Sequence, residues 1–384
     1  MHISRLTLHN WKNFQHCTVD IPERCFIVGA NATGKSNLLD ALRFLRDVVR
    51  QGGGLQTAVE QRGGIRKLRC LAARTRTDVG IEIELSEDGD IKWHYELYFK
   101  HSGGGIQKNE VTITHETVLR HGAARPDVLL DRTDTTDGED ADTLKFTHLE
   151  QPMANQNYRE IRDFFEKIEY LNIIPQMVRE SGSVVLTSGK EDYFGRNFLL
   201  RLARLNETTR KAYFRRINEL LRLAVPQLEE LTFVKDQMGI PHLEARYVHW
   251  RARGSKQNEM QFSDGTLRLI GFLFALLDGN GTVLLEEPEI NLNSAIVAQI
   301  PEFIASIQRT RRRQVIVTTH SYDLLANRGI SSAEVLLLKN TDQGTTVTTA
   351  SQLDSVQAEL EAGFTVAEAV IPQTRPVNIS DMSL

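Results

Sequence analysis

Cysteine is scarce in this chain: 384 residues hold only Cys17, Cys25 and Cys70, with no CxxC pair and no metal-ligand spacing. That excludes a disulfide framework and a cysteine-built metal centre, and it fits a reducing cytoplasm better than an oxidising compartment. Long apolar runs are missing too. No stretch approaches the roughly 18 residues needed to span a bilayer. The opening Met1-His2-Ile3-Ser4-Arg5 interleaves polar residues and reads as neither signal peptide nor anchor. A soluble protein without membrane contact is expected. There is no basic excess, since the formal net charge is −4, so any nucleic-acid contact must be local. Internal repeats and low-complexity tracts are also lacking. The remaining composition, 41% hydrophobic and 25% charged, is that of a globular protein with room for one large or two ordinary domains.

Against that plain background, Gly29-Ala30-Asn31-Ala32-Thr33-Gly34-Lys35-Ser36 fills every fixed position of the phosphate-binding loop G-x-x-x-x-G-K-[ST]. Cys25-Phe26-Ile27-Val28 before it suits a buried parallel strand. The stretch from Asn37 to Leu45 after it has apolar residues at helical spacing. Strand, turn and helix therefore stand in the order that phosphate binding requires. Gly29 and Gly34 let the backbone curl so that amide N–H groups and the helix N-terminus face an anion. Lys35 would reach the β- and γ-phosphates of ATP, and the Ser36 hydroxyl would ligate Mg2+. Asn31 and Asn37, within the loop and just past it, join the nucleotide-binding candidates.

The rest of a nucleotide site is spread along the chain. Thr282-Val283-Leu284-Leu285-Glu286-Glu287-Pro288 is an apolar strand ending in two carboxylates. Glu286 would hold magnesium and Glu287 would accept the proton of the attacking water. Gln314 to Ser321 is another buried strand, running out into His320. A helix with the spacing of Ile296 to Ile307 lies between the two strands, so one βαβ step separates them. His320 is thus expected at the same carboxyl edge as Glu287, in reach of the γ-phosphate or the water. Ser263, with Asp264 and Gly265, precedes a strong helix from Leu267 to Leu277. Ser263 is a good N-cap, and that helix terminus could bind an anion held by another subunit.

Around these motifs the hydrophobic period changes. Ile3 to Leu8 and Cys17 to Ile21 alternate as an antiparallel pair. Val79 to Leu85, Ile91 to Phe99 and Val111 to Thr114 add a β meander, with turns at Glu87-Asp88-Gly89-Asp90 and Ser102-Gly103-Gly104-Gly105. Asp127 to Asp142, rich in Asp, Thr and Glu, reads as a mobile surface loop. From Tyr158 to Ala224 the period is 3.6, in several short helices broken at Pro175 and at Ser181-Gly182-Ser183. The division expected is residues 1–150 for a first lobe with phosphate loop and meander, 151–230 for a helical insertion, 231–345 for a second lobe, and 346–384 for a tail with one short helix.

Together the motifs resemble the ATP-binding-cassette type of ATPase, in the branch that includes SMC, RecF and OLD proteins. The likeness is greatest to small OLD-like ATPases, which share a Ser-x-Gly-Thr signature like Ser263 to Thr266, the Glu-Glu-Pro-Glu of residues 286–289 and a Thr-His-Ser like residues 319–321. The resemblance implies an α/β P-loop NTPase fold of cassette type, with an N-terminal antiparallel meander and an α-helical insertion between loop and signature. It implies ATP and Mg2+ as ligands and ATP hydrolysis as the activity. It also implies a homodimer or higher homo-oligomer, with each ATP read by Lys35 of one chain and by Ser263 and Gly265 of another. Lys12, with Asn13, resembles residues that approach the nucleotide in the SMC branch, and Gln61 is a candidate for the glutamine that such proteins supply to magnesium. The chain departs from its relatives at Asp264, where transporter cassettes carry glycine. It departs again at Leu292-Asn293-Ser294, where relatives often continue Leu-His-Pro.

The separation of about 227 residues between Ser36 and Ser263 is far longer than in transporter cassettes and argues against an importer or exporter. A small-molecule kinase would leave the signature and histidine unused. About 44 residues follow Asn340, too few for the Toprim nuclease that OLD relatives often carry. Two readings remain. In the first, the ATPase controls a separately encoded effector, in a setting such as antiviral defence. In the second, a DNA-repair or chromosome-handling ATPase touches nucleic acid directly, through the basic patch of Arg62, Arg66, Lys67 and Arg69 with Arg74 and Arg76. Arg311-Arg312-Arg313 is expected to end a helix at its negative terminus.

Overall fold

The computed structural model describes residues 1–73, 77–103, 110–122, 125–135, 140–180, 195, 197–248 and 255–375. Arg74, Arg76, Gly104, Gly105 and the Ser181-Gly182-Ser183 break lie outside the described residues, as does the end of the tail.

Fifteen described strands form three sheets. β1 (His2–Trp11), β2 (Phe14–Asp20) and β3 (Arg24–Gly29) open the chain, followed by β4 (Val79–Glu87), β5 (Asp90–His101), β6 (Val111–Arg120) and β7 (Asp127–Thr133). β8 (Glu169–Leu171), β9 (Leu228–Lys235), β10 (Pro241–Tyr247) and β11 (Ser255–Asn258) come next. β12 (Val283–Glu286), β13 (Val315–Thr318), β14 (Val335–Thr341) and β15 (Gly344–Thr349) complete the set. An antiparallel sheet has the order β2-β1-β4-β5-β6-β7, and β11-β10-β9 is a small separate sheet. The third sheet, β15-β14-β3-β13-β12-β8, is parallel except for its β15 edge.

The parallel strands are near-continuous apolar runs because both of their faces are covered. Cys25 and Ile27 of β3, Leu284 of β12, Ile316 of β13 and Leu336 of β14 enter the core shared with the antiparallel sheet. Phe26, Val28, Leu285, Val317 and Leu337 enter a second core beneath the helices Asp264–Leu277 and Ile300–Arg311. The helix Lys35–Val49 lies in the first core, where Phe44 stacks on Phe99 at 5.5 Å and meets Trp11 edge-on at 5.2 Å. The indole N–H of Trp11 donates to the carbonyl of Asn37 at 2.9 Å, tying the antiparallel sheet to the start of that helix.

Several expectations change. Asp127 to Thr133 is no loop: it pairs as β7 with β6, and Arg132 is buried beneath it, donating to Glu116 at 3.1 Å. The acidic composition hid a strand whose anchor is one buried ion pair. The stretch read as purely helical includes β8, which pairs with β12 and puts Tyr170 on the edge of the parallel sheet. The Ile296-to-Ile307 helix is split into Ser294–Val297 and Ile300–Arg311, with Pro301 opening the second piece, where its missing N–H costs nothing. The tail carries two helices, Asp354–Glu361 and Val366–Val370, rather than one. Of the three arginines, Arg312 is the C-cap of Ile300–Arg311. Arg313 is fully buried and donates to carbonyls at the end of a different helix, Ala275 at 2.8 Å, and to that of Gly281 at 2.6 Å. Among the described residues, no helix is long and apolar enough to cross a membrane.

Candidate functional site

β13 lies between β3 and β12 and is parallel to both, so their carboxyl ends open on one edge of the sheet. The phosphate loop leaves β3 and feeds the helix Lys35–Val49, whose N-cap is Gly34 at φ +95°. That left-handed turn favours glycine, and a Cβ there would lie 2.9 Å from the amide of Asn13, which covers the loop. Lys35 is buried and folds over the loop, donating to the carbonyls of Gly29 at 3.1 Å and Ala30 at 3.2 Å. Burial pushes its ammonium pKa down, and the carboxylates of Glu287, Glu286 and Glu289 oppose that shift. Asn31 is exposed at the mouth of the loop. The amide of Asn37 donates to the side-chain oxygen of Asn13.

The two carboxylates at the end of β12 part company. The Ser36 hydroxyl donates to one oxygen of Glu286 and the Tyr170 hydroxyl donates to the other. Glu287 sits at φ +42°, uncommon for a residue with a side chain. Its N–H donates to the carbonyl of Thr318 at 3.0 Å. Its carboxylate meets His320 Nε2 at 3.2 Å, with both side chains about one-third exposed. Burial lowers the His320 pKa from 6.5, with Lys35 adding to that direction and Glu287 opposing it. A neutral imidazole at pH 7 follows. The site thus has a half-open Glu–His pair, a lysine inside the loop, and a hydroxyl–carboxylate pair beside it. That hydroxyl and carboxylate form the hard oxygen set that magnesium takes, so Ser36 and Glu286 fit the ion.

Ser263 is exposed and caps the helix Asp264–Leu277, its hydroxyl oxygen accepting from Thr266 N–H at 3.1 Å. Gly265 is pressed against the acidic segment: a Cβ would lie 2.4 Å from the carbonyl oxygen of Asn291. Asp264, in place of glycine, is held by Arg179 at 2.6 Å. Asn293, in the departing Leu-Asn-Ser stretch, caps the helix Ser294–Val297. Lys12 lines a hollow beside the loop with Ala32 and Asn37, but its ammonium is committed to Asp40 at 2.6 Å. Asn13, rather than Lys12, touches the loop, donating to the carbonyl of Ala32 at 3.3 Å. Gln61 is exposed at the end of the helix Leu55–Gln61.

Three residues with contacts at this edge were given no role in the sequence reading. Tyr170 arrives on β8 and touches Glu286. Glu289 accepts from the Thr319 hydroxyl at 2.5 Å and from His320 N–H at 3.2 Å, so it shapes the turn that presents the histidine. Its second oxygen is buried with no hydrogen-bond partner among the described residues, and burial raises its pKa. Arg268, half-buried one turn into the signature helix, feels Asp264, Glu287 and Glu289. The one available signal was the third acid of Glu-Glu-Pro-Glu.

These elements define a P-loop NTPase, an α/β fold with an N-terminal antiparallel sheet. Residues 25–326, more than half of the chain, match the model described as "AAA domain, putative AbiEii toxin, Type IV TA system", and the chain belongs to that family. Residues 3–45 also match the P-loop containing region of an AAA domain. No curated protein matches the sequence. Among solved structures, an SMC head bound to the C-winged helix domain of ScpA is similar in fold, with TM-score 0.56 and 14% identity over 91% of this chain and 98% of that one. An SMC head with an extended coiled coil from Pyrococcus furiosus, bound to the C-terminal domain of ScpA, has TM-score 0.50 and 13% identity over 94% and 99%.

Proposed function

We propose that the protein is an ATP-hydrolysing switch that pairs with a second copy through sandwiched ATP and thereby controls a partner effector, in a defence system of the toxin–antitoxin kind. The observation that carries hydrolysis is the Glu287–His320 contact at 3.2 Å, at the strand edge onto which Lys35 also opens. Lys35 would bind the β- and γ-phosphates, and Glu287 would take the proton of the water that attacks the γ-phosphate. Neutral His320 would hold that water or the leaving oxygen in line. Magnesium, held by Ser36 and Glu286, would neutralise charge on the phosphate oxygens. Ser263, exposed at a helix N-terminus, is suited to the γ-phosphate of ATP held by the other copy. The γ-phosphate is then the contact that distinguishes paired from separate heads.

Control of a partner is supported by the toxin–antitoxin description of the family and by the fold neighbour bound to a domain of another protein. The competing reading, direct action on nucleic acid, loses part of its footing. Arg62 spends its charge on Asp40 and Asp47, both at 2.9 Å, and Lys12 on Asp40. Arg66 and Lys67 remain exposed beside the loop. The test is Glu287→Gln, which should bind ATP, turn over about 10²–10⁴-fold more slowly and accumulate as an ATP-dependent dimer in light scattering. Hydrolysis at the parental rate would remove Glu287 from its role. A Glu287→Gln chain that stays monomeric with saturating ATP would remove the sandwich.

A further inference from the structure

The antiparallel sheet turns one face to the core and leaves the other outside. On the outer face, Glu82 of β4 lies directly opposite Glu96 of β5. Carboxylates in that position repel and are ordinarily avoided. Among the described residues, neither is paired with lysine or arginine. Glu82 meets His9 Nε2 at 2.8 Å and accepts from the Tyr98 hydroxyl. Glu96 meets His94 Nε2 at 2.7 Å and His115 Nε2 at 3.1 Å. Among the described residues, the groups that meet these two facing carboxylates are the Tyr98 hydroxyl and three imidazoles, side chains that also ligate metals.

The geometry is that of a ligand set. One donor atom each from Glu82, His94 and Glu96 lie within 4.8 Å of one another, and all three side chains are half-buried. Ligands about 2.0–2.2 Å from one ion are closer together than that, a distance that small rotamer changes close. Supporting contacts of the kind that orient ligands are already in place. His9 and Tyr98 fix Glu82; His115, itself bonded to the Thr117 hydroxyl at 2.7 Å, fixes Glu96. His94 directs Nδ1 toward Glu84 at 3.8 Å, while Nε2 faces Glu96 at 2.7 Å and would exchange that contact for the ion. Gly80 makes room for this arrangement. A Cβ there would lie 2.3 Å from the Tyr98 ring, so glycine lets the ring cross β4 and bring its hydroxyl to Glu82.

We propose that this face binds one zinc ion through Glu82, His94 and Glu96, at a site separate from the nucleotide edge. One imidazole and two carboxylates favour a first-row transition metal over magnesium. Three protein ligands leave a fourth position for water. The ion cross-links β4 to β5 and removes the repulsion between the facing glutamates.

The experiment titrates zinc chloride into metal-stripped full-length protein carrying Glu286→Gln, so that the nucleotide-site carboxylate is absent, and follows heat and thermal melting. One zinc per chain is expected, with a raised melting temperature. Adding His94→Asn or Glu96→Gln should weaken binding at least 10-fold and abolish the melting shift, with circular dichroism reporting that each variant is folded. An isotherm unchanged by both substitutions, or no binding at all, overturns the site. X-ray absorption of the zinc-loaded parent decides independently of any variant. A nitrogen/oxygen shell with one imidazole supports the proposal, and a sulfur-bearing or imidazole-free shell overturns it.

Discussion

The parallel sheet β15-β14-β3-β13-β12-β8 is covered on both faces, so its polar residues are pushed to the carboxyl ends of its strands. There they meet as the loop lysine, the serine, the two glutamates and the histidine. The antiparallel sheet β2-β1-β4-β5-β6-β7 is covered on one face only, and its histidines and glutamates form a band across the open one. In the first sheet chemistry is possible only at an edge; in the second it can occupy a surface. The helix Lys35–Val49 lies between them, in the core that both share.

The largest expected effect lies at the edge. Lys35→Ala should weaken ATP binding by about 2–5 kcal/mol, read by titration with a fluorescent ATP analogue. Affinity within threefold of the parent would contradict the placement of Lys35. His320→Asn should lower turnover about 10²-fold and change its pH profile. Because burial and Lys35 lower the His320 pKa below 6.5, the neutral form predominates at pH 7. Parental turnover should hold steady from pH 8 to 6.5 and fall only at lower pH, and the asparagine variant should lack that acid limb. A limb centred above 6.5 would refute a neutral histidine.

A smaller effect belongs to the support of the edge. Glu289→Ala removes the acceptor of the Thr319 hydroxyl and of His320 N–H, at a cost of about 1–3 kcal/mol in urea unfolding. The open face should respond in stability and not in catalysis. Gly80→Ala forces the Tyr98 ring aside and should cost about 1–3 kcal/mol, with magnesium-dependent ATP turnover unchanged. His94→Asn should likewise leave turnover as it was. If either variant slowed hydrolysis more than twofold while folded, the two sheets would be coupled through the helix between them.

Legibility followed contact range. The phosphate loop was readable because strand, turn and helix are consecutive, and the common edge of Glu287 and His320 followed because one right-handed crossover separates neighbouring parallel strands. Tyr170 was not readable: it touches Glu286 from 116 residues away, by way of a three-residue strand too short to show a period. β7 was missed because its burial rests on the Arg132–Glu116 pair, which looks like surface charge in a polar stretch. Lys12 was assigned to the nucleotide by resemblance, and its ammonium went to Asp40, a residue of the helix Lys35–Val49 whose face only packing could reveal.

The order of residues by itself determined the phosphate cradle, the acidic strand end, the helix capped by Ser263 and the alternation of the antiparallel strands, since each depends on neighbours a few positions apart. Only the tertiary structure decided that Glu286 would meet Ser36 and Tyr170, that Asn13 would cover the loop, and that Glu82 would face Glu96 among histidines. Those juxtapositions come from strand register and from packing two sheets on one helix, and no local run of the chain encodes them.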